Sequence, residues 1–431
     1  MTVVRHRMSA AFAFAAFVLA QPAAAADFQI DNFRLDLGAL VISAPTLTVK
    51  GSPLEREAFT ALFTGASGES AATRMGKLSA TEISASQFVY EITLGPEKQT
   101  TTYRDMRFSN ISNGKIGRGE AAGGTYKASG LAGPTTGAIA VSSFDDFDLR
   151  QAVRVFTERA APGASEPMTV VLGRLEQGPQ TFDGAESKVA VGKTVARNMA
   201  AKVGSVPLGE VLARLWSEAS AIEKAQAAPG AEKAAAQGEA SKRLGLSLLS
   251  ALEMIDYGSG EMRDFAMTLT VPADAAKPKG KTAAKAETVE IKVARIAYGE
   301  DAPAKSGYAV EGLQFAASGA RGMIDSIAYS GYAFGAAIKA LQEDLAKPGI
   351  DPGAIDWRRY MPTIGTLRIT GLSVDAPPMV PNGSPVRIGL GTFELKAVEQ
   401  LNGIPTSLAV TIDKLVAPVT EGAGNPAARD L

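Results

Sequence analysis

In the stretch MTLTV, Met267, Leu269 and Val271 alternate with Thr268 and Thr270, the period-two pattern of a strand with one apolar and one polar face. VEIKVARIAY starts the same way with Val289, Ile291 and Val293. Its phase then slips, and Ile296 and Tyr298 take over the apolar face. In VRIGLGTFELK, Val386, Ile388 and Leu390 give way, past Gly391, to Phe393 and Leu395. A phase slip at a glycine marks a bulge or bend inside a long strand. One apolar and one wet face per strand predict an antiparallel sheet covered on one side only.

Four segments carry a helical stripe instead. SPLEREAFTALF has a start signal in Ser52 ahead of Pro53, with Leu54, Ala58 and Leu62 on one face. PLGEVLARLWSEAS opens at Pro207 and aligns Leu208, Val211, Leu212 and Leu215; DFDLRQAVRVF and FGAAIKALQEDL are the other two. Such stripes are expected to pack on the sheet. Between Ala219 and Gln237 the chain is rich in Ala, Glu and Lys, and Pro229-Gly230 interrupts it, which reads as a solvated helical hairpin or a link. Ala273 to Glu287 is basic and of low complexity, the composition of a mobile loop between two strands.

The chain also repeats itself. VVLGRLEQGPQTFDGAESKVAVGK places Gly173, Leu175 and Asp183 at the mutual spacing of Gly365, Leu367 and Asp375 in TIGTLRITGLSVDAPPMVPNGSPVRIGLG. Tyr103 to Ile116 resembles Tyr308 to Ile324, matching Phe108 to Phe315, and the two Pro-Leu helices echo one another. Fixed-order self-similarity is the mark of a repeat architecture. It predicts β-rich units at 27–165 and 166–360, the second with a helical insert at about 207–255 and a flexible loop at 273–287, and a partial third unit at 361–431 with a disordered tail.

Composition narrows the chemistry. Residues 1–26 read as a secretory signal: basic Arg5 and Arg7, an apolar run from Met8 to Ala20, and an A-x-A site ending at Ala26. Cleavage there predicts a periplasmic protein with no integral membrane segment left. There is no Cys, and the only His is His6, inside that signal. Ser-His-Asp and Cys-His catalysis, ordinary zinc sites and iron–sulfur clusters are thereby removed from the mature chain. Loss of Arg5 and Arg7 takes the formal charge from −1 to −3, which gives no footprint for nucleic acid.

Each short motif in the chain also has a local structural reading. SNGK (Ser112 to Lys115) fits S-x-x-K, but Asn113-Gly114 is a turn dipeptide and the companion elements of the acyl-enzymes are missing. GRGEAAGG (Gly117 to Gly124) has the wrong glycine spacing for a dinucleotide site. Asp145, Asp146 and Asp148 in SSFDDFDLR could hold a hard cation, or begin a helix where its dipole favours acids. The reading therefore assigns no catalytic, cofactor-binding or metal residues and no cofactor.

The closing strands GTFELKAVEQLNGIPTSLAVTIDKLVAPV resemble those of exported Gram-negative envelope proteins built of amphipathic strands. In strand pattern the chain is similar to the AsmA-like envelope proteins. That resemblance implies a long curved sheet offering an apolar face to lipid, and it carries over no functional residues. The expected fold is α+β and mainly antiparallel β, made of duplicated curved-sheet units with helices on one face. The expected role is an exported, non-catalytic binding or scaffold protein with a lipid, glycan or protein partner at the C-terminal sheet edge. The alternative is a carboxylate-dependent, glycoside-type hydrolase. Limited trypsin digestion should cut first in 273–287, at Lys279, Lys281 or Lys285, because low-complexity tips bury little. Cutting inside MTLTV or VEIKV instead would overturn the strand and loop assignment.

Overall fold

The computed structural model describes residues 25–417 except 66–67, 95–96, 130–132, 165, 227–230, 272–286, 303–306, 332–334, 346–356, 362–364, 379–384 and 402–403. The signal sequence up to residue 24, nearly all of the 273–287 loop and the tail after Val419 lie outside the described residues. Among those described, no helix is long and apolar enough to cross a membrane.

The fold is mainly antiparallel β, in one continuous sheet. It starts with β1 (Ala26–Asp36), β2 (Leu40–Ser52), β3 (Ala80–Leu94) and β4 (Glu97–Ser112). Four interrupted strand lines follow: β5 (Lys115–Ala121) with β6 (Gly123–Ser129), β7 (Thr135–Ile139) with β8 (Ser142–Asp148), β9 (Thr169–Gln177) with β10 (Gln180–Asp183), and β11 (Ser187–Val191) with β12 (Thr194–Ala201). After the two-residue β13 (Ile255–Asp256) come β14 (Ser259–Val271), β15 (Glu287–Gly299), β16 (Gly307–Ala317) and β17 (Ala320–Ser330). The sheet closes with β18 (Thr366–Ala376), β19 (Val386–Leu401) and β20 (Ile404–Asp413). Each line pairs with its sequence neighbours, so the chain meanders from β1 at one edge to β20 at the other.

Helices interrupt the meander at one end of the sheet only. Helices α1 (Arg56–Thr64) and α2 (Ala71–Met75) follow β2; α3 (Leu149–Thr157) follows β8; α4 (Leu208–Gln226) and α5 (Ala231–Met254) follow β12. Then α6 (Gly335–Leu345) and a 3-10 turn (Trp357–Tyr360) follow β17. The order is thus strand pair, helices, four strand lines, helix, given twice, before β18 to β20 begin it again. The two Pro-Leu segments occupy equivalent places in that order. The Phe108 and Phe315 segments do not, since they lie on β4 and β16, which run in opposite directions. The sheet passes unbroken through β8–β9 and β17–β18.

Two local expectations are corrected. Helix α1 starts at Arg56 rather than at Pro53, because the Ser52 hydroxyl accepts from the Leu54 N–H at 3.1 Å and holds the chain in a turn. Its buried face is Phe59 and Leu62; Leu54, ahead of the helix, packs against the core as expected, whereas Ala58 is exposed. The acidic run SSFDDFD is strand β8, and only Asp148 belongs to a helix start, accepting from Gln151 N–H at 2.8 Å as the N-cap of α3.

The phase slips belong to a seam that crosses the whole sheet. From β14 to β19 it runs through Asp264, Ala294, Gly312, Asp325, Gly371 and Gly391, each opposite the next and each skipped by the pairing ladder. The same level breaks β5 from β6, β7 from β8, β9 from β10 and β11 from β12. Register is equal on both sides: Thr370 faces Thr392 and Leu372 faces Leu390. Both partners therefore bulge together and the inside–outside alternation inverts in step. Alternate strands supply a left-handed residue, Asp264 (φ 53°), Gly312 (φ 63°) and Gly371 (φ 65°). Nearer the helices a second seam repeats the device with Asn110, Asp146 and Asn198, at φ 56°, 56° and 55°, set against Gly117 and Gly173.

Because parity inverts in every strand at once, one face of the sheet stays apolar on both sides of the seam. Its buried core gathers Val49, Leu47, Ile83 and Ile30 under Phe59 and Met75 of the helices, with Phe28 and Phe33 edge-on to Phe59 and Phe63.

The seam makes a stability prediction. A Cβ at Gly371 would stand 2.8 Å from Asp325 Cβ, at a φ of +65°. Gly371→Ala should lose about 1–3 kcal/mol by denaturant unfolding. Gly238→Ala, in helix α5 with nothing within 4 Å, should gain about 0.5–1 kcal/mol. Equal effects at the two sites would deny the seam its constraint.

Candidate functional site: an apolar cavity under the helices

The sheet's apolar face does not meet the helices everywhere. A cavity of about 680 Å³ lies between the face of β1 to β12 and the helices α1, α3 and α4. Strand side chains that alternate toward it include Phe88, Tyr103, Phe108, Phe144 and Leu175; Phe63, Phe156 and Leu212 close it from the helices. The rings form a chain across three strands, Phe88 to Phe108 at 5.3 Å, Phe108 to Phe144 at 6.1 Å and Phe144 to Phe147 at 5.5 Å. Gly119 makes room for this chain, since a Cβ there would stand 2.2 Å from Phe144 Cζ.

Glu120 apart, polar groups in the lining are few and neutral: Tyr90, Tyr103, Ser142, Ser143 and Gln177. Burial raises the pKa of both tyrosines, so they are protonated at any physiological pH. Among the described residues, Glu120 is the one charged residue in the lining. Its carboxylate takes a hydrogen bond from Arg118 Nε at 3.3 Å, and alternation places that pair on the opposite, polar face.

That polar face carries an ion-paired ladder. Arg118 meets Asp145 at 2.9 Å and Arg174 meets Glu176 at 2.8 Å. Arg295 lies between Glu261 at 2.9 Å and Glu311 at 3.0 Å. The Arg174 guanidinium, then the Lys193 ammonium, hydrogen-bond the Glu176 carboxylate and hold its pKa down to about 2. Glu82 and Glu261 are lowered as well, by hydrogen bonds from Lys50 and from Arg263 and Arg295.

The motifs considered in the sequence fall elsewhere. Asn113 (φ 51°) and Gly114 (φ 79°) make the two-residue turn joining β4 to β5. Gly117 to Gly124 lies in β5 and β6. Asp145 pairs with Arg118, Asp146 is the left-handed seam residue and Asp148 caps α3, so the three acids do three different jobs. Among the described residues, no group of three His, Cys, Asp or Glu is placed to hold a metal ion. Sequence reading placed Leu208 and Leu212 on a helix stripe and matched Phe108 and Leu175 to the repeat, and all four line the cavity, but it assigned no residue to a ligand site; the alternation of Phe88 with Tyr90 and of Tyr103 with Thr101 already puts each pair on one face.

Beyond the cavity the apolar face continues through the stacked rings of Tyr298, Tyr308 and Tyr329, with centroids 6.3 and 4.9 Å apart. It ends at β20, where Leu408, Val410 and Ile412 are 54–57% exposed. No strand pairs with the outer side of β20 among the described residues.

Fold and site together define an open antiparallel sheet with one polar, ion-paired face and one apolar face, the latter partly roofed by helices over a cavity. Compared with protein-family models, with curated proteins and with solved structures, the chain matches none.

The polar face has an acid limit. A Glu whose folded pKa is depressed stabilises the fold above its ordinary value of 4.5, and the contribution disappears as pH falls toward the folded value of about 2. Across that window Glu176→Gln should show a smaller fall in thermal midpoint than the parent protein. Identical slopes for the two proteins would contradict the pairing of Glu176 with Arg174 and Lys193.

Proposed function

We propose that this chain is an exported envelope protein that shelters an apolar ligand of the lipid class between its sheet and its helices, without catalysing a reaction on it. The observation carrying this reading is the 680 Å³ cavity, with its aromatic and aliphatic walls and its few neutral polar groups. A pocket of this size and character is what a hydrocarbon chain needs. Export rests on the three-part N-terminal signal with cleavage after Ala26, and the periplasm follows from export. The AsmA-like resemblance belongs to the same proposal, since an apolar sheet face is what it leads one to expect. The exposed edge at β20 offers backbone N–H and C=O groups to a protein partner in addition.

The hydrolase alternative draws little from this geometry. A glycoside-type mechanism needs one carboxylic acid of raised pKa facing a second across a cleft. Asp36, Glu82, Glu176 and Glu261 all move the other way, and each sits with N–H or cationic partners.

The test uses full-length protein exported and purified without detergent. Native mass spectrometry should find a co-purifying lipid. After its extraction, the folded protein should bind the apolar probe N-phenyl-1-naphthylamine. Leu175→Asp should weaken that binding at least about tenfold, because it places a carboxylate in the apolar wall. A folded protein with neither retained lipid nor probe binding overturns the proposal.

A further inference from the structure

The seam creates one feature that an apolar cavity does not need. In an unbroken strand, residues three apart face opposite sides. The break at Gly178-Pro179 inverts the alternation, so Gln177 and Gln180 share the apolar face. Gln177 stands between Ser142 and Thr194, and Gln180 between Ile139 and Val191. Gln180 Nε2 donates to Gln177 Oε1 at 3.0 Å. One bond between two amides leaves one NH2 group and one carbonyl oxygen of the pair unengaged among the described residues. Ser142, 9% exposed, stands beside Gln177. Gln177 and Ser142 both line the cavity. Neutral donors and acceptors are therefore clustered at one level of an otherwise hydrocarbon wall.

We infer that Gln177, held in place by Gln180, donates to the uncharged carbonyl linkage of a long-chain acyl ester, with the alkyl chain lying against Phe88, Phe108 and Phe144. The inference rests on the lipid-class reading above and narrows it. Three classes of apolar ligand differ in what they leave unpaired. A pure hydrocarbon laid over the amide displaces the water that can reach it and gives it no partner in return, which is unfavourable. A fatty-acid carboxylate finds no Lys, Arg or His among the described lining residues, and placing an unpaired anion against that wall costs far more. An ester carbonyl accepts from the Gln177 NH2 and brings no charge, so of the three it alone gives that donor a neutral partner; the remaining carbonyl oxygen is that of Gln180, which is not among the lining residues. The same linkage in a membrane glyceride or in a free ester would be held alike.

Displacement of N-phenyl-1-naphthylamine from the delipidated full-length protein at pH 8 tests this with three probes of one chain length: methyl dodecanoate, dodecanoate and dodecane. The ester should displace the probe at a concentration about tenfold or more below that of the carboxylate. It should also outcompete dodecane. In Gln177→Leu the ester should lose its advantage over dodecane while probe binding persists; Gln177→Met serves the same comparison if the leucine variant does not fold. Equal displacement by ester and carboxylate, or an ester advantage intact in the variant, overturns the inference and leaves the lipid-class reading standing. Absence of probe binding in the folded parent overturns both.

Discussion

An antiparallel ladder ties the pleat of each strand to that of its neighbours, so a residue that breaks the alternation in one strand must be answered at the same level in the next. This constraint governs the fold. Strands here reach 16 residues, and long strands twist and coil. A bulge relieves that coiling by bending the strand that carries it. Were a single strand to bulge alone, its apolar residues would cross to the polar face beyond that point. The seam avoids this by inverting all strands together, with register equal on either side. The chemistry follows from the backbone: the left-handed positions fall mostly to Asn, Asp or Gly on alternate strands, with Lys414 (φ 54°) opposite Gly391 the exception, and small residues face several of them.

That explains how much could be read in the sequence. The slip from Val293 to Ile296 and the slip at Gly391 are two crossings of one seam, visible because apolar letters sit close on both sides. The Asn113-Gly114 turn and the stripes of α3, α4 and α6 were legible for the same local reason. Asp105 and Asp264 were not, although they carry the seam on β4 and β14. An Asp in a strand looks like an ordinary outward polar residue, and nothing in the letter reports a positive φ. The start of α1 was misplaced because Ser52 is buried and uses its hydroxyl to turn the chain before the helix. The cavity was invisible for a different reason. Phe88, Phe144 and Leu175 come from β3, β8 and β9, so their meeting is a product of the meander and not of any local spacing.

The two edges of the sheet are treated differently. At β1, Phe28 and Phe33 lie under Phe59 and Phe63 of α1, and the left-handed Asn32 interrupts the edge. At β20 no described helix covers Leu408, Val410 or Ile412. The difference follows from where helices enter the meander: both strand pairs β1–β2 and β9–β12 are followed by helices that fold back over the apolar face, whereas β18 to β20 have none after them among the described residues. Among the described residues, coverage therefore falls along the sheet, from a packed core at β1 and β2, through the cavity, to apolar side chains at β20 that no described element covers.

The cavity sits where this coverage is incomplete without being absent, and its energetics bear on what fills it. The cavity opens in part to solvent, so water fills it where no ligand lies, and that water meets mostly hydrocarbon walls. A water held there finds few of the two to four polar partners it needs, because the lining concentrates its polar groups around Ser142 and Gln177. The cheapest occupant has a long apolar body to meet Phe88, Phe108 and Phe144, and one small neutral polar group to meet the amide pair. The same seam that keeps the sheet's face apolar thus brings Gln177 and Gln180 together on it, and the fold's own bending device sets the polarity of the ligand it can hold.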